Sequence, residues 1–191
     1  VVAGVEDIVV LTPPTADGGI DAATLYACAL SGVSTVCKAG GAQAVAAVAY
    51  GTASVPRCDK IVGPGSPWFM AAKRLLSDRI DPGSPAGPSE SIVLADATAN
   101  PRKVALDVLN EAEHGDDSSV YFITDDAALA EKVTREIMAL YAHMGEQRIA
   151  FASAVLAGDH GGIIVAPDRD AACRFVNDYA PEHLMVHSAD P

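Results

Sequence analysis

Short apolar runs closed by glycine or proline recur along this chain, each followed by a stretch of helical periodicity, and that alternation leaves few folds open. Residues 8–11 (Ile-Val-Val-Leu) end at Thr12-Pro13-Pro14, and a continuous run of this kind reads as a strand buried on both faces. Strands are expected in the same way at 33–37, 58–62, 91–95, 120–124, 163–165 and 184–186. Between them lie expected helices at 22–30, capped by Asp21, at 42–50 after Gly40-Gly41, and from Trp68 to about Asp78. Further helices are expected up to Glu111 and His114, at 127–141 and at 169–179. Residues 143–159 carry little pattern and read as a loop or an irregular helical connection. Strand and helix in strict alternation predict an α/β fold of parallel sheets flanked by helices.

Half of the 191 residues are hydrophobic, ample for a core of one sizeable domain or two small ones. The Asp-, Pro- and Gly-rich linker of residues 81–90 is the natural boundary, dividing the chain into 1–90 and 91–191. The net charge of -12, with Lys and Arg scattered, argues against a nucleic-acid partner. No apolar run approaches the roughly 20 residues of a membrane span, and residues 1–7 lack the features of a signal peptide, so the expected location is the cytoplasm. Cys28, Cys37, Cys58 and Cys173 share no C-x-x-C spacing and read as reduced, buried thiols.

Three places carry potential chemistry. In the stretch from Val104 to Ser119, Glu111 and His114 stand three residues apart and are expected on one face of a helix's last turns. A carboxylate and an imidazole so spaced can hold a borderline cation such as Zn²⁺; the plain alternative is a charged helix end beside a solvated Gly-Asp-Asp turn. Gly63-Pro64-Gly65 lies between an expected strand and a helix start, where backbone N–H groups and the helix dipole suit a phosphate, though such turns are also ordinary loop punctuation. Glu182 and His183, adjacent after Pro181, can direct two proton acceptors into one cleft; a surface Glu-His pair before a strand is the alternative.

Taken in order, Gly40-Gly41-Ala42-Gln43-Ala44, Gly63-Pro64-Gly65, Ala86-Gly87-Pro88-Ser89-Glu90, the Glu111/His114 stretch and Ala180-Pro181-Glu182-His183-Leu184 resemble the histidinol dehydrogenase family over nearly the whole chain. The resemblance implies two Rossmann-like domains, with residues 1–90 the inserted, NAD-binding one and 91–191 part of the other. It implies zinc- and NAD-dependent oxidation of L-histidinol through histidinal to L-histidine, in two hydride transfers, within an intertwined homodimer. By the same resemblance His183 is the base of alcohol oxidation and Glu182 activates the water. Gln43 and Ser66 fall where the family contacts the dinucleotide, Ser89 where it contacts substrate, and Glu111 and His114 at zinc-ligand positions. Gln43 can equally satisfy backbone groups, and Ser89 can cap a turn.

Two departures bear on the substrate. Typical members have Gln where this chain has Glu111, and Asn where it has Ser66. Both favour, as an alternative, a paralogue acting on another small polar primary alcohol, such as an amino alcohol or a hydroxy-sulfonate. An alternative of another class is a non-catalytic Rossmann-like nucleotide-binding or assembly module. The resemblance puts the family's remaining zinc ligands beyond Pro191, and two protein ligands rarely hold zinc tightly. The isolated chain is therefore expected to be metal-free and inactive. Stoichiometric zinc by elemental analysis, together with turnover of an alcohol, would refute this.

Overall fold

The computed structural model describes residues 1–84 and 86–189. Pro85, inside the expected linker, and Asp190 and Pro191 lie outside the described residues. The chain divides into two compact units, Val1–Ala86 and Gly87–Pro191.

In the first unit, β1 (Val9–Thr12) pairs in parallel with β2 (Thr35–Lys38), joined by α1 (Ala22–Leu30). Asp21 caps α1 by accepting from the Thr24 amide at 2.8 Å. α2 (Gly41–Tyr50) and α3 (Pro67–Leu75) pack together around Val45, Val48, Ala49, Ile61, Ala72 and Ile80. Two expectations fail here. Both strands of this two-stranded sheet are only half-buried at their apolar positions, so β1 is not covered on both faces. Residues 58–62 form no strand: they make one isolated parallel bridge, Lys60 with Asp81, between Pro56 and the Gly63-Pro64 turn. Proline at each side supplies no ladder donor, and only Ile61 of the run is buried.

The second unit is built on four parallel strands in the order β5-β4-β3-β6. They are β3 (Glu90–Ala95), β4 (Ser119–Thr124), β5 (Gly161–Val165) and β6 (His183–His187), and they alternate with α4 (Pro101–Ala112), α5 (Ala127–Tyr141), α6 (Glu146–Ala157) and α7 (Arg169–Tyr179). In chain order this is third-second-first-fourth, the half-fold order of Rossmann-type sheets. The two-residue alternation along β3 divides the core. Val93 and Ala95 pack with Val120, Phe122 and helices α4, α5 and α6, whereas Ile92 and Leu94 face Ile123, Ala172 and Val176 on the α7 side.

Residues 146–157 form a full helix where little pattern was legible. Its buried positions are alanine and valine (Ala152, Val155), too small to mark a stripe against the other alanines. α4 ends at Ala112, with Glu113 as its C-cap, so His114 lies beyond the helix instead of sharing its face with Glu111. All four cysteines are free; Cys28 is buried, and the other three are only partly so, against the expectation for all four. Burial pushes the Cys58 thiol above its ordinary range, with Asp59 and Cys37 adding to the effect.

Phe122 is fully buried in the larger core, while Leu106 is exposed on α4. Phe122→Ala should cost about 3–5 kcal/mol in urea unfolding and Leu106→Ala about 0.5 kcal/mol or less. Equal losses would contradict this assignment of the core.

Candidate functional site

A parallel sheet whose helices return the chain to each new strand has two unlike poles. In the second unit the segments that follow helices gather at the amino ends of the strands, and most of the residues marked by sequence lie there. Ser89 immediately precedes β3, and its carbonyl accepts from the Ser119 amide at the start of β4 at 2.8 Å. His183 opens β6 in direct register with Ser91 of β3. Glu111 sits in the last turn of α4, with its Oε1 accepting from Asn110 Nδ2 at 3.0 Å, and His114 follows with its amide donating to the Glu111 carbonyl. Arg148 of α6 donates to the Glu113 carbonyl at 2.7 Å, setting a cation on the negative end of the α4 dipole.

The turn into β6 is strained. Ala180 caps α7 at φ 52, ψ 63, the only non-glycine residue with positive φ among those described. The left-handed region costs an alanine about 1–2 kcal/mol, and Pro181 disfavours the right-handed helical alternative. The turn leaves Glu182 and His183 exposed, with Glu182 Oε1 3.8 Å from His183 Nε2, too far for a hydrogen bond. Both groups remain open to a reactant.

Among the described residues no three His, Cys, Asp or Glu side chains converge into a metal shell, so Glu111 and His114 stand as two potential donors. Sequence reasoning missed Ser91. Its hydroxyl is buried and has no hydrogen-bond partner among the described residues, although it neighbours His183 across the ladder. A polar residue inside the β3 apolar run was the available signal.

In the first unit Gln43 lies in the first turn of α2, its side-chain amide folded over Gly41, which has φ +65; a Cβ there would stand 3.2 Å from Gln43 Oε1. Ser66 caps α3, accepting weakly from the Phe69 amide at 3.4 Å. A Cβ on Gly65 would come within 2.6 Å of the Phe69 ring, so the glycine permits that ring to close beneath the turn. Lys73 was also missed: it is buried, lies 5.5 Å from the Phe69 ring centroid, and donates to the Gly63 carbonyl at 3.4 Å. Helical spacing puts it on the buried stripe of Phe69, Ala72 and Leu76, where a cation has to find a partner.

At the carboxyl ends of the second unit's strands Asp96 and His187 are committed. Asp96 accepts from the hydroxyls of Ser188 and Thr98 and from the Thr98 amide. These bonds, the Ser188 one foremost, lower its carboxyl from 3.8 to about 2. His187 Nε2 lies 2.6 Å from Asp107 Oδ2, tying β6 to α4.

Fold and site together define a parallel α/β protein with a carboxylate and an imidazole presented side by side at a strand start, equipment for proton transfer. A family model for histidinol dehydrogenase matches residues 1–191. The chain belongs to the histidinol dehydrogenase family. It is 54% identical to a histidinol dehydrogenase homolog of Colwellia psychrerythraea over 191 residues, all of this chain and 43% of that protein. It is 49% identical to histidinol dehydrogenase of Synechocystis over 190 residues, 44% of that protein. The crystal structure of histidinol dehydrogenase from Elizabethkingia anophelis superposes with a TM-score of 0.83 at 38% identity, covering 96% of this chain and 42% of that one. The chain thus spans less than half the length of these relatives.

Because folding lowers the Asp96 pKa, its contribution to stability is complete above the unfolded value and is lost as pH falls toward 2. Asp96→Asn should flatten the loss of stability between about pH 4 and about pH 2 in urea titrations at stepped pH. An unchanged slope would mean the bonds to Ser188 and Thr98 do not hold in solution.

Proposed function

We propose that the whole protein oxidises a small polar primary alcohol to the carboxylate by way of an aldehyde held at the site, with L-histidinol, histidinal and L-histidine as the series. The observation that carries this reading is the Glu182–His183 pair, exposed at the head of β6 beside Ser89 and Ser91, in a chain of this family. His183 takes the hydroxyl proton as hydride leaves the carbinol carbon. Glu182 then takes a proton from the water that adds to the aldehyde, and a second hydride transfer completes the carboxylate. Ser89 orients the substrate from the start of β3.

NAD⁺, when bound, accepts each hydride in turn. The first unit offers features that suit it: Gly40 opens α2 with no side-chain cap, Gln43 presents an amide in that first turn, and the buried Lys73 cation supports the Gly63–Ser66 turn. The described residues do not make a zinc shell, and no step above depends on one. Glu111 and His114 are proposed as two donors of a shell completed by parts of the protein outside this chain. We further propose that residues 1–90 form an inserted domain and 91–191 part of a second, and that the enzyme is a cytoplasmic homodimer. No described helix is long and apolar enough to cross a membrane.

A second reading has its own support. Glu111 and Ser66 stand where typical members have Gln and Asn, and the Colwellia relative is named only as a homolog. This reading makes the substrate another amino alcohol or a hydroxy-sulfonate.

The test is NADH formation by the whole protein with histidinol and a panel of such alcohols. Glu182→Gln should slow oxidation of the aldehyde by about 10²–10⁴-fold while sparing the first hydride transfer, and His183→Gln should slow the first transfer by a similar factor. Wild-type rates in both variants would overturn the assignment. An alcohol other than histidinol with the higher kcat/KM would decide for the paralogue.

A further inference from the structure

The carboxyl ends of the second unit's strands hold a cavity that the alcohol-oxidation reading does not use. Its volume is about 170 Å³, and it lies where β3 and β6 end, beneath the first turns of α7. Leu94 and Val186 form one wall, and Ala172 and Cys173 the other. In a sheet of order third-second-first-fourth, the chain runs outward from β3 through β4 to β5 and then crosses back to place β6 on the other side of β3. The crevice outside the carboxyl ends of β3 and β6 is where open α/β sheets hold ligands.

The surroundings choose the ligand's charge. Each of α4, α5 and α7, which start at this pole, already has one or two of its first amides bonded to its own N-cap side chain. Asn100 accepts from the amides of Arg102 and Lys103 on α4, Asp126 from Leu129 on α5, and Asp168 from Ala171 on α7. Pro101 removes one α4 donor outright, and the β3–α4 connection Asp96-Ala97-Thr98-Ala99-Asn100 has no glycine to let a pyrophosphate approach. A phosphate therefore finds no glycine turn here, and its one cationic donor is Arg169, which shares the rim with two carboxylates. Among the described residues the rim carries two carboxylates, Asp96 and Asp125, and one guanidinium, Arg169. Asp96 is committed to Ser188 and Thr98, whereas Asp125, exposed at the end of β4, has no side-chain hydrogen bond among the described residues. What fits is an apolar body for the walls with a cationic donor for Asp125.

We propose that this cavity binds a small amine, a monocation with an aromatic or compact apolar body, at a site separate from Glu182 and His183. The proposal does not rest on the alcohol-oxidation reading, because it uses the opposite ends of the strands.

The experiment is titration of the whole protein with phenethylamine, followed by isothermal calorimetry, beside phenethyl alcohol and phenylacetate of similar shape. Saturable binding of the amine, at least about tenfold tighter than of the alcohol and tighter still than of the anion, is expected for a charge-assisted bond. Asp125→Asn should weaken the amine about tenfold, and since Asp125 is exposed the variant should fold; His183→Asn should leave amine binding unchanged. Cys173→Trp, filling one wall, should abolish binding, with circular dichroism checking the fold. No saturable binding, equal affinity for the three probes, or loss in His183→Asn with retention in Asp125→Asn would each overturn the proposal. Failure of Glu182 and His183 variants to alter turnover would leave this site untouched, so the two readings fail separately.

Discussion

The parallel pairing of β3 with β4 on one side and β6 on the other is the constraint from which the second unit's chemistry follows. Ile92 and Val93 are fully buried on opposite faces of β3, so the strand cannot slip by one residue without exchanging its two hydrophobic faces. With the register held, Ser91 is opposite His183 and Ala95 opposite His187. Parallel pairing also demands a crossover after every strand. Each crossover helix brings the chain back to the amino ends, while each strand delivers it to the carboxyl ends. Groups that follow helices, such as His114 and Glu182, and groups that follow strands, such as Asp96, Asp125 and Ser188, are thereby sorted to opposite poles.

The two poles differ in how fully their polar groups are satisfied. At the carboxyl ends, capping side chains and the Asp96 network leave few unpaired donors, and the His187–Asp107 contact closes β6 onto α4. At the amino ends the chain tolerates a left-handed alanine, an orphaned buried hydroxyl at Ser91, and a Glu–His pair 3.8 Å apart that makes no hydrogen bond. The alanine and the buried hydroxyl cost stability and gain nothing within the unit itself, while the exposed pair stays solvated. Strain and unpaired polarity concentrated at one end of an otherwise well-packed sheet are what a reactive site requires, because groups already paired with one another are slow to engage a substrate.

Much of this was legible in the chain before its structure. α5 and α7 begin and end where they were expected, because long amphipathic helices carry many agreeing residues; the structure adds Asp126 and Asp168 as their caps. The strands of the second unit agree to within a residue or two for a similar reason: apolar β-branched runs bounded by turns have few other uses. α6 was illegible because its fully buried positions are only Ala152 and Val155 while Ala150, Ala154 and Ala157 stand exposed, so residue type marks no clear stripe. Residues 58–62 misled because an apolar run needs a neighbouring strand as well as a composition, and here the partner is one residue, Asp81. Lys73 and Ser91 went unnoticed since reading by motif passes over polar residues inside apolar patterns. The position of His114 beyond the end of α4 illustrates a further limit, since i, i+3 spacing means a shared face only while the helix lasts.

The capping chemistry also bears on where a dinucleotide would sit in the family to which this chain belongs. A pyrophosphate needs backbone amides that nothing else has claimed, and it gains from a nearby cation. α2 has Gly40 as its N-cap with no side-chain cap bond, and Gly41 at positive φ leaves room for the Gln43 amide to fold over the first turn. α3 is capped by Ser66 through a bond of 3.4 Å, longer than those made by Asp21, Asp126 or Asp168, and therefore easier to displace. Lys73 adds a buried charge below the turn that precedes α3. By contrast α4, α5 and α7 are closed by Asn100, Asp126 and Asp168, two of them anionic, and the crevice beside α7 bears Asp96 and Asp125 together with Arg169. The same strand-to-helix geometry thus favours an anion in the first unit and disfavours it in the second.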